Sequence, residues 1–598
     1  MNPFTAPDEI MRSPGDERAV FRIVWLSLQA TAVSIRGVHM FTLEIREAGH
    51  GNACSIKGRD ASHPTISAAV LFGSGLRKFR SIAQTIIAVA FGLAALHAQA
   101  NSTVGAWSWP IRVPTLPIHN TLLPDGRILL WQHGHSEGID PTTGKKYVKD
   151  NPAPIVWNPA DGSYVSVEVP DQLHRYDDNN TPPIQTDEIY CSGQTILADG
   201  RVMVTGGHAN RGETEFHGSS RIRFFDYRNM TDPITHGWQL GADMNAGRWY
   251  PTNVPLAGGK ALVLGGYITE NNYNQIPQVY DSAARSWRTL STASSAPDLP
   301  LYPWLYPAPG GKVFYAGPRQ ETRYLDLTGT GAWSQPILAT FGPTRQFPSG
   351  LHRGTSVLYD QGKILNVGGT PGEFTPPTKT TEVIDLKASA PSWRQVGPLN
   401  YPRQFHNATL LPDGKVLVTG GTSSGGWIDY TGTVYAAEMW DPATGTWTVM
   451  ASMTQPRLHH AMAMLLPDGR VLVGGGGQTG IDGEQEFRDT EFYSPPYLFK
   501  GARPVISAAP ATISYGQQFS VGTADKNINK VVLIRLGSVT HGFNQSQAVA
   551  NLKFKKGGKD GLNVDGPVDP NLVPAGYYML FIVDGAGVPA VAKIVKLQ

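Results

Sequence analysis

Short runs of β-forming residues, each set between glycines, recur along the middle of the chain. The recurring unit is a polar turn ending in glycine, a basic residue, three or four β-formers and a second glycine or glycine pair, as in PDGKVLVTGG ending at Gly421. Seven turn glycines mark the copies: Gly126, Gly200, Gly259, Gly311, Gly362, Gly414 and Gly469. Short runs bounded by glycine turns predict β-strands joined as hairpins.

Apart from a longer first interval, the turn glycines recur about every 50 residues, which is the period of a kelch repeat. Each kelch unit is a four-stranded sheet that buries its faces against neighbouring units around a central axis. An aromatic residue followed by a turn and a tryptophan comes next in several copies, as in Tyr280 and Trp287. Seven copies predict a seven-bladed β-propeller over residues 101–501, with insertions around residues 135–185.

After Arg503 the pattern changes to shorter alternating strands, such as ISYGQQFSV, KVVLIRLGSV and GYYMLFIVDGAGVPAVAKIVKL. Alternation of this kind with turn residues between the strands is typical of a β-sandwich. We therefore predict an immunoglobulin-like domain over residues 502–598. The predicted fold class is all-β throughout.

Residues 76–100 have the pattern of an export signal. Three basic residues between positions 77 and 80 precede an apolar stretch over 82–96, and the small-x-small sequence Ala98-Gln99-Ala100 follows. The apolar stretch is shorter than the roughly 20 residues that a membrane span needs. We expect a secreted chain, extracellular or periplasmic, without a membrane span after cleavage. Residues 1–75 are expected to be a non-native or disordered extension from an overlong reading frame.

The amino-acid composition excludes several classes of protein. Charged residues are 16% of the chain, against roughly 25% in an average soluble protein, and 41% are hydrophobic, which excludes a disordered chain. Lysine and arginine number 50 against 48 acids, so nucleic acid is not an expected partner. The two cysteines, Cys54 and Cys191, exclude a disulfide scaffold. Since Cys54 lies in the predicted extension, Cys191 has either a free thiol or an unusual covalent fate.

One position of the repeat collects reactive side chains. Nine residues before the turn glycine, five repeats place Cys191, Tyr250, Tyr302, Phe405 and His460, with His459 adjoining the last. Equivalent positions of successive blades lie on one ring about the axis, so a thiol, phenols and imidazoles share one end. These residue types suggest a copper or zinc site. Ordinary packing is the alternative, because free cysteine is often a core residue.

Four segments around these residues resemble the galactose oxidase and glyoxal oxidase family of copper radical oxidases. They are TDEIYCSGQTILADGRVMVTGG, NAGRWYPTNVPLAGGKALVLGG, PRLHHAMAMLLPDGRVLVGGGG and GSVTHGFN. The resemblance runs in order from about Asn101 to Gln598, and GRWYP is similar to the glyoxal oxidase branch. It implies a C-terminal domain of the early-set type. It also implies a secreted enzyme that oxidises aldehydes or primary alcohols with O2 and releases H2O2.

The resemblance implies specific roles for five residues. Cys191 and Tyr250 match the pair that the family joins by a thioether bond, and the joined phenol holds a radical. One copper ion would be bound by Tyr250, His460 and His541, the last from the C-terminal domain. Copper and radical together accept two electrons from the substrate. His459 occupies the place of the family's axial tyrosine, where we expect it to bind copper and to accept the substrate proton, since histidine accepts protons near neutral pH.

Two further departures from the family concern the substrate pocket. The tryptophan that galactose oxidase stacks on the crosslinked tyrosine is matched by Ile268, next to Tyr267. The arginine that holds galactose has no counterpart near Asp298, where the chain reads APDLPLYPW. Galactose is therefore not the expected substrate.

Two other classes of function stay open. The chain could be a secreted propeller that only binds a glycan, such as that of a cell wall, or a protein partner. It could also bind copper without turning over alcohols. No cysteine follows the predicted cleavage site, which argues against a lipoprotein, and a monomer is the default expectation.

Overall fold

A computed structural model describes the chain in several ranges. These are residues 101–132, 153–170, 186–210, 217–295, 299–339, 353–372, 375–426, 429–477, 485–558 and 560–598, together with the backbone of four strands at 27–35, 38–46, 136–139 and 146–149. The chain divides into the units Met1–His97 and Ala98–Gln598. In the first unit, Ser27–Ile35 pairs antiparallel with Val38–Arg46. The rest of the predicted extension and the whole predicted signal segment, residues 76–100, lie outside the described residues.

Antiparallel sheets make up most of the second unit, so the all-β prediction is confirmed. Seven sheets in the described chain, which we call repeat sheets 1 to 7, each contain one predicted glycine-marked hairpin. In hydrogen-bonded order, the strands of sheet 1 are His119–Leu122, Ile128–Trp131, Ile155–Trp157 and Tyr164–Ser166. Those of sheet 2 are Gly193–Ile196, Val202–Thr205, Ile222–Phe225 and Trp238–Leu240. Those of sheet 3 are Thr252–Pro255, Lys260–Leu264, Gln278–Asp281 and Ser286–Thr289.

The remaining repeat sheets follow the same plan. The strands of sheet 4 are Trp304–Ala308, Lys312–Gly317, Glu321–Asp326 and Ala332–Trp333, and Ile337–Leu338 also pairs with its third strand. Those of sheet 5 are Thr355–Asp360, Lys363–Val367, Thr381–Asp385 and Arg394–Gln395. Those of sheet 6 are Gln404–Leu410, Val416–Thr422, Ala436–Asp441 and Thr446–Ser452. The first strands of neighbouring sheets lie side by side through sheets 1 to 4 and again through sheets 5 to 7. The loops that enter these first strands are thereby gathered at one place.

Repeat sheet 7 joins the two ends of the propeller region. Its first three strands are Ala461–Leu465, Val471–Gly475 and Asp489–Ser494. The fourth, Ala106–Trp107, comes from the start of the second unit, and Ile111–Arg112 pairs with the same third strand. A strand from far upstream thus covers what would otherwise be an exposed sheet edge.

The first three repeats contain insertions in their loops. The hairpin of Ser136–Ile139 and Lys146–Lys149 lies between the second and third strands of sheet 1, within the predicted insertion. A separate five-stranded sheet is built from loops of sheets 1 to 3; its strands are Thr186–Glu188, His208–Asn210, His217–Gly218, Tyr267–Thr269 and Asn272–Tyr273. Residues 101–104 form one helical turn. Short 3-10 helices lie at Tyr227–Asn229, Ala257–Gly259, Ser291–Ser295, Pro309–Gly311, Tyr430–Gly432 and Pro496–Phe499.

The C-terminal domain packs two sheets around its own apolar core. In hydrogen-bonded order they are Thr512–Ile513, Lys593–Leu597, Gly576–Asp584, Ile528–Arg535 and Val549–Leu552; and Gln518–Gly522, Gly561–Asp565 and Phe554–Lys556. A hairpin of Ser538–Thr540 and Phe543–Asn544 leaves this domain and pairs with His119–Leu122 of repeat sheet 1. The hairpin carries His541 at its tip, which places that residue against repeat sheet 1.

Buried arginines anchor the loops that precede the first strands. Arg403 and Glu438 form an ion pair of 2.7 Å with both side chains fully buried, and the Glu438 carboxylate also accepts the backbone N–H of Asn400. Arg457 pairs in the same way with Glu491 at 3.2 Å in the next repeat. Because a buried charge needs a partner, these pairs hold each loop at a defined place.

Within the described residues, no helix combines the length and apolar character needed to cross a bilayer.

Candidate metal site

The predicted ring residues share an uncommon backbone conformation. Cys191, Tyr250, Tyr302, Phe405 and His460 have φ angles of 58°, 64°, 46°, 57° and 64°. Few residues other than glycine adopt positive φ, and those that do concentrate at functional sites. The N–H of Tyr250 donates to the carbonyl of Cys191, and the N–H of Tyr302 donates to that of Tyr250, each at 2.8 Å. Adjacent repeats therefore touch at equivalent backbone positions, as the spacing predicts.

Cys191 and Tyr250 lie in contact inside a buried apolar cluster. The two side chains are 0% and 3% exposed. Burial raises the pKa of both groups well above their ordinary values. Cys191 is a free thiol in this structure, so the thioether bond stays a prediction.

Three imidazoles meet beside this pair. The ligand nitrogens of His459, His460 and His541 all lie within 4.8 Å of one another. His460 Nδ1 lies 3.2 Å from the carbonyl of Gly477, to which it donates when Nε2 is deprotonated. His541 Nδ1 lies 2.6 Å from the hydroxyl of Thr540. In both residues the second nitrogen, Nε2, is thereby directed toward the common centre.

Each of these Nε2 atoms faces a phenol. His541 Nε2 lies 2.9 Å from the Tyr250 hydroxyl, and His460 Nε2 lies 3.2 Å from the Tyr190 hydroxyl. Tyr190 is missed by the sequence reasoning, which compares one position per repeat and so stops at its neighbour Cys191. The one sequence feature that could have pointed to Tyr190 is its position directly before Cys191.

The other two ring residues stand beside the centre. Tyr302 donates its hydroxyl to the carbonyl of Ser192 at 2.9 Å, and its ring centroid lies 5.0 Å from that of His541. Phe405 meets His459 edge to face, with ring centroids 5.4 Å apart. Both residues therefore line the site through ring contacts with its histidines.

Tyr250 is stacked by two aromatic rings. The Trp249 ring lies 3.9 Å from it at an interplanar angle of 9°, and the Tyr302 ring lies 4.5 Å from it at 24°. The match of the family's stacking tryptophan to Ile268 stays a prediction; in this structure the tryptophan that covers Tyr250 is the residue directly before it. Ile268 lies in the strand Tyr267–Thr269 of the additional sheet.

His119 supports the loop of Cys191 and is also missed by the sequence reasoning. Its Nε2 accepts the backbone N–H of Cys191 at 3.0 Å, and its Nδ1 lies 2.9 Å from Gln194 Oε1. The Gln194 amide nitrogen donates to two carbonyls, which leaves its oxygen as the acceptor for the histidine. Burial lowers the pKa of His119 to about 3, against a smaller opposing effect of the hydrogen bond to Gln194. His119 is therefore a neutral positioning group.

The donor set fits a copper ion. Three imidazoles have ligand nitrogens within 4.8 Å of one another, and two of them have a phenol oxygen beside them. Imidazole and phenolate are ligand types that suit Cu(II). Tyr250, His459, His460 and His541 are the residues predicted to hold the metal, and all four contribute a donor atom to this cluster.

Comparison with known proteins agrees with this reading. Residues 173–497 match the glyoxal oxidase N-terminus family, and residues 503–597 match the galactose oxidase-like early set domain. The second match confirms the predicted type of C-terminal domain.

Individual relatives point the same way. A galactose oxidase of Gibberella zeae is 26% identical over 521 residues, covering 83% of this chain and 71% of the relative. The aldehyde oxidase GLOX of Vitis pseudoreticulata is 27% identical over 454 residues, covering 69% and 82%. The structure of a fungal alcohol oxidase of the AA5 family in complex with copper superposes with a TM-score of 0.69 at 27% identity, covering 83% of this chain and all of that one. The chain therefore belongs to the glyoxal oxidase and galactose oxidase family of copper radical oxidases.

Proposed function

We propose that this protein is a secreted copper radical oxidase that oxidises aldehydes, as their hydrates, or primary alcohols with O2. A primary alcohol loses two electrons and two protons to become an aldehyde, and O2 takes up both to become H2O2. One observation carries the proposal: the three imidazoles lie within 4.8 Å of one another, and one of them meets the Tyr250 phenol at 2.9 Å beside a buried cysteine.

The two electrons need two acceptors. A bound copper ion supplies one-electron redox chemistry and a place for the substrate oxygen. The ring of Tyr250, bonded to the sulfur of Cys191, supplies the second one-electron site. Forming that bond removes one hydrogen atom from the thiol and one from the phenol ring, and O2 would accept both and become H2O2. Tyr250, His460 and His541 hold the metal, with His459 as a further ligand.

The surrounding residues assign the remaining roles. His459 is 6% exposed, and one of its ring nitrogens accepts the proton of the substrate hydroxyl. Trp249 covers one face of the Tyr250 ring and limits the access of water to it. His119 holds the backbone of Cys191 through its N–H, so that the sulfur stays beside the phenol.

The substrate class rests on the relatives and on one sequence feature. The relatives are named for galactose, aldehyde and alcohol oxidation, which together define primary alcohols and aldehydes. Galactose itself is not proposed, because no arginine stands near Asp298. The basic, apolar and small-residue pattern over 76–100 supports export of the chain.

A peroxide-release assay tests the proposal. Copper-loaded protein should release H2O2 in the presence of a panel of aldehydes and primary alcohols, and Cys191→Ser should abolish this. Loading with copper and O2 should also lower the mass of the intact chain by two hydrogen atoms, with loss of the free thiol. A thiol that stays titratable in copper-loaded protein, together with no peroxide from any substrate, would leave only the binding functions.

A further inference from the structure

Tyr190 forms a second imidazole–phenol pair at the site. Its side chain is 4% exposed, and its hydroxyl lies 3.2 Å from His460 Nε2. The pair repeats the arrangement of His541 Nε2 and the Tyr250 hydroxyl, which are 2.9 Å apart. Tyr190 also lies in the same buried cluster as Cys191 and Tyr250. Its phenol therefore belongs to the same buried centre as the residues already assigned.

The spacing of these atoms is that of neighbouring ligands of one ion. Nitrogen and oxygen ligands in protein metal sites lie about 2 Å from the metal, so two adjacent ligand atoms lie about 3 Å apart. Both imidazole–phenol pairs have this separation. The other nitrogen of His460 is engaged by the carbonyl of Gly477. The nitrogen that His460 presents to a metal is therefore the one beside Tyr190.

A phenol at position 190 would replace one that the family pattern has and this chain lacks. The family pattern places a second, axial tyrosine directly before the first histidine ligand, and this chain has His459 there. Tyr190 approaches His460 from repeat sheet 2, at the residue before Cys191. The left-handed backbone of Cys191 turns the loop at this point, and its backbone N–H is held by His119.

We propose that Tyr190 is a copper-binding residue and provides the centre with the second phenolate that position 459 no longer supplies. This rests on the proposed function, since it needs copper at this site. On binding Cu(II), the Tyr190 hydroxyl releases its proton to solvent and its oxygen bonds to the metal, with no change in the oxidation state of either. The alternative is that Tyr190 only hydrogen-bonds to His460 and orients its ring.

The test uses the full chain with Tyr250→Phe, which removes the phenol ligand and the crosslink of the proposed function. Cu(II) is added, and the visible phenolate-to-copper charge-transfer absorption and the tyrosinate modes in resonance Raman are recorded. We expect both signals in Tyr250→Phe and their loss in Tyr250→Phe/Tyr190→Phe. The matched control is Tyr250→Phe/Tyr302→Phe, which should keep both, because the Tyr302 hydroxyl is bonded to the Ser192 carbonyl.

Copper content distinguishes the ways in which the proposal can fail. If Tyr250→Phe binds one copper per chain without phenolate signals, Tyr190 is only a hydrogen-bond partner and the proposed oxidase is untouched. If the signals survive Tyr190→Phe and vanish with Tyr302→Phe, the ligand is misassigned. If the unmodified protein binds no copper, the proposed function fails and this inference with it. Should Tyr250→Phe not fold, Tyr190→Phe alone should remove one of two sets of tyrosinate modes from the copper-loaded protein.

Discussion

The rings of Trp249 and Tyr250, neighbours in sequence, lie face to face with centroids 3.9 Å apart. Consecutive side chains of an extended strand point to opposite sides, and this pair does not, because Tyr250 has a left-handed backbone. Trp249 is in turn parallel to Tyr267 at 5.9 Å, and the Tyr267 hydroxyl lies 3.0 Å from that of Tyr273. The ring proposed to hold a radical is thus covered by a half-buried indole.

Replacing Trp249 should expose that ring. We expect Trp249→Ala to shorten the lifetime of the radical in oxidised, copper-loaded protein, since water and reductants then reach Tyr250. The loss of the stacked contact should also lower the free energy of unfolding by about 1 kcal/mol beyond the lost burial. Decay of the radical's optical absorption measures the first effect. Trp287→Ala, on the fourth strand of the same repeat sheet, is the control, and an equal lifetime in both variants would contradict the shielding role.

His119 should make the stability of the copper-free protein depend on pH. Its folded pKa is about 3, whereas an unfolded histidine has a pKa of about 6.5. Between these values the unfolded state binds a proton that the folded state does not. The free energy of unfolding should therefore fall by about 1.4 kcal/mol per pH unit as pH drops from 6.5 toward 3, and this contribution should be constant above 6.5.

Urea unfolding across this pH range measures the effect. The groups facing His119 are the Gln194 amide and the rings of Trp131, Tyr190 and His541. His119→Gln cannot take up the proton, so the difference in slope between it and the unmodified chain isolates the contribution of His119. Parallel curves for the two proteins would show that His119 does not stay neutral in the fold.

The ion pair of Arg403 and Glu438 should be critical for stability. Glu438→Gln removes one charge and leaves the other fully buried without its partner, which should lower the free energy of unfolding by about 3–5 kcal/mol. The matched control is Asp560→Asn, which breaks the exposed pair with Lys526 and should cost less than about 1 kcal/mol. Similar midpoints of chemical unfolding for both variants would refute the importance of the buried pair.

The fourth strand of repeat sheet 7 should be needed for folding. A chain that starts at Asn101 keeps the strands Ala106–Trp107 and Ile111–Arg112, so its melting temperature should match that of the full chain. A chain that starts at Val113 loses both strands and uncovers Asp489–Ser494. It also loses the bonds from Trp107 Nε1 to the Ala451 carbonyl and from the Tyr493 hydroxyl to the Val104 carbonyl, each worth about 1 kcal/mol. We expect a clearly lower melting temperature and a tendency to aggregate.

Position 459 offers a rescue experiment. If Tyr190 provides the second phenolate, His459→Tyr should restore phenolate-to-copper absorption and peroxide release to Tyr190→Phe protein, because it returns a phenol to a position beside His460. In the unmodified background the same change should have a much smaller effect on the absorption. Equal gains in both backgrounds would show that Tyr190 does not serve as the phenol donor.

Much of the site is predictable because the repeat is regular. The spacing from the turn glycine identifies Cys191, Tyr250 and His460 as equivalent, and the resemblance adds His541. The structure places these side chains together. His119 escapes this reasoning because the position nine residues before Gly126 is Pro117, so repeat 1 contributes from a different residue.

The sequence by itself determines the strands, the repeats and the residue types at the ring, because strand period and glycine turns are local properties of the chain. Which side chains meet Tyr250 and His460 was decided only by the tertiary structure. A left-handed residue redirects its neighbours in a way that no strand period encodes, so Trp249 and Tyr190 could not be placed beforehand. The hairpin that carries His541 likewise reaches the site only through pairing with a strand more than four hundred residues upstream, His119–Leu122.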